Sequence, residues 1–257
     1  SDTFGARMSM SGSGNHLAIS SRSGVHVFEL SSISGNEQWI QVGQTLEPDY
    51  YSEYSFEPYG IISANGSRVA FLHDLNHTWI YDLQFNLDGQ TWMHNDDLDV
   101  IEVDDISHYD NVELRFAPSD DSTLLVSDFA KDFVKAFRQS SPDAAWTQIG
   151  QDIQKAPSSS SMAIASNGNR IAVHRLSTDT DTNSGTSNSG QDEVQLLDFD
   201  GTEWISVGSP IVSSSSIDSQ DFFGYSIEMS ADGNFLLVGL NLPYCRSYNP
   251  RDYNETD

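Results

Sequence analysis

The chain has 257 residues, with 38 acidic and 12 basic side chains and a formal net charge of −26 at neutral pH. So negative a surface repels phosphate backbones and anionic bilayers; it excludes nucleic acid as a partner and suits cationic partners, metal ions or a saline medium. A single cysteine, Cys245, rules out an internal disulfide, and no apolar run approaches the ~18 residues of a membrane span.

Read from the N-terminus, the chain opens with an alternating segment, Arg7-Met8-Ser9-Met10, which predicts a half-buried strand. A turn at Ser13-Gly14-Asn15 follows, and then a continuous apolar run, Leu17-Ala18-Ile19, expected to be buried on both faces. Val25-His26-Val27-Phe28 predicts a third strand, and a loop leads to Trp39 and a short fourth strand, with Gly43 four residues on. The same order returns. Ser63-Ala64-Asn65-Gly66 leads to Val69-Ala70-Phe71, Trp79-Ile80-Tyr81 and Trp92. A degenerate copy with Ser122 at the turn leads to Leu125, to Phe133–Phe137 and to Trp146, with Gly150 four residues later. Asn167-Gly168 leads to Ile171-Ala172-Val173, Val194–Leu197 and Trp204, with Gly208 beyond it. Phe223-Gly224 opens a last copy that reads Ala231-Asp232-Gly233 and then Leu236-Leu237-Val238.

The turn positions are 52, 56, 46 and 65 residues apart. Four strands in roughly 40 to 50 residues is the spacing of a propeller blade, a unit too small to bury its own faces. The expected fold is therefore all-β: a β-propeller of four-stranded antiparallel blades, with four full repeats and a partial fifth. The blades are placed at residues 4–48, 58–100, 111–154, 161–212 and 222–242, with a polar tail at 243–257. The four phased tryptophans, Trp39, Trp92, Trp146 and Trp204, are expected to pack between blades. The incomplete fifth copy predicts an open arc or an irregular ring, and a segment of a longer protein or complex. Asn65 is expected to be the left-handed residue of its turn.

The run of Phe-Gly, Ser-x-Asp-Gly and Trp-x-x-x-Gly, seen at Phe223-Gly224, Ser230-Ala231-Asp232-Gly233 and Trp204 to Gly208, resembles the FG-GAP repeats of integrin-alpha-type propellers. A looser class of algal and bacterial surface repeats is more similar still. The resemblance implies a propeller of an extracellular or surface protein. It departs where Ser20, Leu72, Ser127 and His174 replace the family's second glycine, and the family's calcium loops are not matched.

Asp179, Asp181 and Asn183, in an insertion from Thr178 to Gln191, alternate like the start of a calcium loop. Calcium is the one cofactor this leaves open. Asn76, Asn65 and Asn254 head glycosylation sequons, with Asn76 the best placed. Asp88-Gly89 and Asp200-Gly201, each shortly before a tryptophan, are read as hairpin turns. No nucleophile, phosphate-loop or zinc pattern occurs. The expectation is a non-enzymatic module for protein interaction, adhesion or self-assembly, extracellular or on the cell surface. A carbohydrate-binding or glycoside-hydrolysing propeller, taking glycans as partners, and a subunit in an organelle lumen are the alternatives.

Overall fold

The computed structural model describes residues 4–33, 35–47, 60–72, 77–87, 89–99, 112–128, 132–141, 144–156, 161–176, 192–212 and 222–241. They form an all-β array of antiparallel sheets, none closed on itself. The first sheet runs β1 (Met8–Met10), β2 (His16–Ser21), β3 (Gly24–Ile33) and β4 (Asn36–Gln41). The second runs β5 (Gly60–Ile62), β6 (Arg68–Leu72), β7 (His77–Asn86) and β8 (Gly89–Asp99). The third runs β9 (Val112–Ala117), β10 (Asp120–Asp128), β11 (Phe133–Gln139) and β12 (Trp146–Gln148), with β13 (Ile153–Gln154) also pairing with β11. The fourth runs β14 (Met162–Ile164), β15 (Arg170–Leu176), β16 (Asp192–Phe199) and β17 (Trp204–Val212). Of the fifth, only β18 (Phe222–Met229) and β19 (Leu236–Asn241) are present among the described residues. First strands of successive sheets lie side by side in chain order: β1 by β5, β5 by β9, β9 by β14, β14 by β18.

One turn recurs between the first and second strands. Gly14, Gly66, Gly168 and Gly233 hold φ of +74°, +78°, +69° and +70°, a left-handed backbone that glycine adopts without a Cβ penalty. Asn65 does not carry that conformation's burden in its turn; Gly66 does. The Asn65 side chain serves instead, accepting from the Ser67 backbone N–H at 2.7 Å, as Asn167 and Asp232 accept from Asn169 and Asn234 at 3.0 Å each. A serine three residues before the glycine closes the turn, with Ser11, Ser63 and Ser230 accepting from the backbone N–H of His16, Arg68 and Phe235.

The core is a series of four clusters, one at each junction between consecutive sheets. The second strand lies in the middle: Arg68–Leu72, Thr123–Ser127 and Ile171–His174 are buried throughout. Two junctions are built alike. At the first, the Trp92 indole N–H donates to the Val42 carbonyl at 2.9 Å, and the Gln44 side chain accepts from the Trp92 backbone N–H (3.0 Å) and donates to its carbonyl (2.6 Å). At the third, Trp204 donates to the Ile149 carbonyl at 3.1 Å, and Gln151 makes the same pair of bonds at 2.9 and 2.8 Å. Between carbonyl and glutamine sits a left-handed glycine, Gly43 (φ +66°) or Gly150 (φ +68°). A Cβ on either would stand 2.7 Å from the tryptophan Cδ1, so the ring fits only because the side chain is missing.

The second junction departs from this. Asp96 stands four residues after Trp92, where the others have glycine. Trp146 is still buried, against Phe116 and beneath the Arg68 guanidinium, 5.2 Å from the ring centroid. Trp39, expected between blades with the other three, stands 41% exposed on β4, because no sheet precedes the first among the described residues.

A second tie runs between turns. Arg68 and Arg170, each two residues after the turn glycine, hold Asp82 and Asp198 on the third strand through paired hydrogen bonds. Each then donates its remaining nitrogen to a carbonyl in the next sheet's turn, Asp121 at 2.8 Å and Gly233 at 3.2 Å. The planar fork of arginine grips both carboxylate oxygens and still presents a nitrogen to the carbonyl, a bidentate geometry that the point-like ammonium of lysine does not offer.

Replacing Gly43 or Gly150 by alanine is expected to cost about 3 kcal/mol each, from overpacking against the indole plus left-handed strain. Gly208→Ala, at φ +65° but with nothing within 4 Å of its Cβ position, is expected to cost only about 1 kcal/mol. Urea unfolding of the three variants measures the difference.

Candidate functional site

The side-by-side first strands enclose a cavity of about 440 Å³, formed chiefly by β1, β5 and β9. Met8 and Met10 from β1, Ile61 and Ile62 from β5, and Leu114 and Phe116 from β9 supply the apolar part of its wall, and polar atoms make up about half of its surface. Alternation along β1 explains the exposure of the methionines, at 65% and 58%. Ser9, between them, points to the neighbouring sheet and accepts from the Ile62 backbone N–H at 3.2 Å. Met8 and Met10 therefore face the open side, where the flexible thioether stems can adapt to an apolar partner.

Arg115 is the one ionisable residue in the wall. Its Nε donates to Glu113 at 2.9 Å and its Nη1 to Glu228 of the fifth sheet at 3.1 Å. These bonds join the third sheet to the fifth across the first strands, and they spend the guanidinium on carboxylates of the chain itself. Both bonds are partly solvated, so the pair positions more than it stabilises. Chemically the cavity offers shape, apolar contact and one neutralised cation. No set of three or more His, Cys, Asp or Glu side chains able to hold a metal ion occurs among the described residues.

His174, on β15, is a buried titratable group at the junction of the fourth and fifth sheets. Its side chain is 3% exposed, its Nε2 lies 2.9 Å from Asp192, and its ring packs against Gly224 and Tyr225. Burial holds its pKa below the ordinary 6.5; the Asp192 hydrogen bond and charge oppose this, and Lys155 adds to it.

Of the residues singled out by sequence, Asp179, Asp181, Asn183, Asn76 and Asn254 lie outside the described residues, as does Cys245. Asn65 lies within them, bonded into its turn. Asp200 accepts from Glu203 and Thr202, which hold its carboxyl below the usual carboxylate range; it shapes the hairpin that presents Trp204. The glutamines of the junctions, the turn arginines and the Arg115 bridge are not among those residues. Each junction glutamine directly follows a Val-Gly or Ile-Gly pair, which is the signal that marks it.

No protein-family model matches the chain, and no curated protein sequence does. Solved structures match it. A functionally unknown protein from Desulfotomaculum acetoxidans is 14% identical, with a TM-score of 0.55 over 91% of this chain and 62% of its own. The periplasmic gluconolactonase PpgL of Pseudomonas aeruginosa is 14% identical, with a TM-score of 0.51 over 91% of this chain and 64% of its own. KlAtg21, solved in complex with the coiled-coil of AgAtg16, is 10% identical, with a TM-score of 0.60 over 90% of this chain and 61% of its own. These likenesses show the fold: all-β, with propeller-like neighbours. The chain spans less than two thirds of the length of each.

The pH dependence follows from His174. The unfolded chain takes up this proton near pH 6.5 and the folded chain only below that, so the contribution is complete above pH 6.5 and lost as pH falls. The melting temperature is expected to drop between about pH 7 and pH 5, and His174→Gln to flatten the drop. Thermal melts of both proteins across that range are the check.

Proposed function

We propose that the chain is the greater part of a β-propeller of FG-GAP-like repeats. Its work is protein–protein interaction, adhesion or assembly, in an extracellular or cell-surface protein. The observation that carries this reading is the repeated junction, in which Trp92 and Trp204 each seat on a left-handed glycine of the preceding sheet. Units stacked in this way present strand edges and loops to partners, and among the described residues Trp39 stands exposed on β4. The net charge of −26 keeps such an open array soluble and steers cationic surfaces to it.

The cavity, lined by methionines and by an arginine already bonded to carboxylates, supports a binding role over a hydrolytic one. Glycoside hydrolysis needs a pair of carboxyl groups flanking the bond, and the wall's charged group is an arginine already bonded to two glutamates. The likeness to a structure named as a gluconolactonase supports a second, enzymatic reading, in which Arg115 would bind an anionic or lactone substrate.

Incubation of the full chain with gluconolactone and with a panel of aryl glycosides decides between them. No turnover above the buffer blank is expected, and no hit on a glycan array. Turnover abolished by Arg115→Ala would overturn the binding reading.

A further inference from the structure

Each junction has a basic side chain at its turn, and the first differs from the others in kind. In the first four sheets one cross-strand pair on the second and third strands lies just past the turn: His16 and Glu29, Arg68 and Asp82, Thr123 and Arg138, Arg170 and Asp198. In the last three pairs a guanidinium crosses to the next turn. Arg68 reaches the Asp121 carbonyl, Arg138 the Gly168 carbonyl at 2.8 Å, and Arg170 the Gly233 carbonyl. Each is anchored on its own sheet, Arg68 by Asp82, Arg138 by Thr123 and Arg170 by Asp198.

His16 holds the corresponding place at the first junction. It stands two residues after Gly14, as Arg68 and Arg170 stand after Gly66 and Gly168. Its ring lies against Gly66, where a Cβ would collide with Nδ1; in the same way a Cβ on Gly233 would stand 3.0 Å from Arg170 Cδ. Yet the tie is not made. Nε2 is 3.9 Å from Glu29, beyond hydrogen-bond reach, and the buried Nδ1 has no partner among the described residues. A neutral imidazole has one N–H and cannot donate to a carboxylate and a carbonyl together, whereas an imidazolium has two.

Few ionisable groups among the described residues surround this ring. Glu29 faces it from β3, and β4 places Ile40 opposite Glu29. Ser11, Ser13 and Asn15 of its own turn carry no charge, nor do Asn65 and Ser67 beside Gly66. On the face that the second sheet turns to the first stand Tyr81, packed into the junction core, and His94 beside it. Arg68 and Asp82 lie on that sheet's other face, with Arg68 over Trp146.

We propose that His16 is a proton-operated clasp between the first and second sheets. Protonated, it donates from Nε2 to Glu29 and from Nδ1 to the Gly66 carbonyl, the acceptor that Gly168 and Gly233 supply at later junctions. Neutral, it leaves the junction to the Trp92 seat and to the backbone bond from Gly12 to Ala64. The charged imidazole gains these partners only in the folded chain. Their contribution is therefore complete at acid pH and lost as pH rises, within the span of about pH 5 to 8 where imidazoles titrate. His174 acts in the opposite sense, because burial at the fourth junction disfavours its charged form. Acid thus firms the first junction and loosens the fourth. The clasp stands on junction geometry and holds for any function of the chain.

The test is hydrogen exchange of the full chain at about pH 5.5 and about pH 8, each rate divided by its intrinsic rate at that pH. Three proteins are compared: the natural chain, His16→Gln, which cannot take the charge, and His16→Arg, which copies the later junctions. All three share His94 and His174, so the ratios between them isolate His16. The protection of residues 11–19 and 60–69 in the natural chain relative to His16→Gln is expected to be at least about threefold greater at the lower pH. His16→Arg is expected to exceed the natural chain at the higher pH and to match it at the lower. Should His16→Gln fold poorly, His16→Arg gives the answer alone. Ratios that are the same at both pH values overturn the proposal, as does a change confined to residues outside these two segments.

Discussion

The fold depends on an indole entering the gap left by a missing side chain. Trp92 and Trp204 each reach into the preceding sheet, where a left-handed glycine leaves room for the ring and a carbonyl accepts its N–H. A four-stranded sheet of these lengths has two faces to bury, and among the described residues no helix covers them. The indole supplies on the order of 200 Å² of apolar area, and its buried polar tip finds a partner. The glutamine beside the glycine bonds the tryptophan's main chain in both directions, which fixes the register of one sheet on the next as well as their contact.

The turns reinforce this at the same end of the strands: Asp82 and Asp198 stand one residue before Leu83 and Phe199, the cross-strand partners of Trp92 and Trp204. Arg68 and Arg170 begin on the second strand, bind an aspartate on the third, and finish on a carbonyl of the following sheet. Backbone bonds between turns, Gly12 to Ala64 and Ser166 to Ala231, follow the same direction. The first three junctions are thereby held by an indole and, beside the same turns, by a guanidinium or backbone contact. The first strands fall into line as a consequence, and the cavity beside Met8 and Met10 is the space they leave.

Much of this was legible in the sequence because turn chemistry is local. The Asn-Gly and Asp-Gly pairs, the alternating first strand and the apolar second strand place four complete units and the start of a fifth, and the tryptophans stand in phase with them. The junction glutamines were not legible from one unit. Gln44 has meaning only against Trp92, 48 residues on; the Val42-Gly43 pair marks its place, and only comparison with Ile149-Gly150-Gln151 in another unit brings that mark out. The same is true of Arg115, whose partner Glu228 is 113 residues away. Trp39 illustrates the limit of phase as a guide: it keeps its position in the repeat and is exposed, since burial needs a preceding sheet and the repeat pattern cannot say whether one is there.

The second junction shows how far the pattern can drift while the packing holds. There the glycine and glutamine are gone and β8 runs on to Asp99, yet Trp146 stays buried. Arg68 covers its ring, held flat by Asp82, to which the Asn95 amide also donates. The guanidinium that ties the turns at other junctions here also closes the tryptophan's seat. The first three junctions thus share a buried indole, and the glycine–glutamine pair is one way of seating it. At Gly208 half of that solution survives, the left-handed glycine and its carbonyl without the glutamine, beside Ile205, Val207 and Ile211, which are exposed among the described residues.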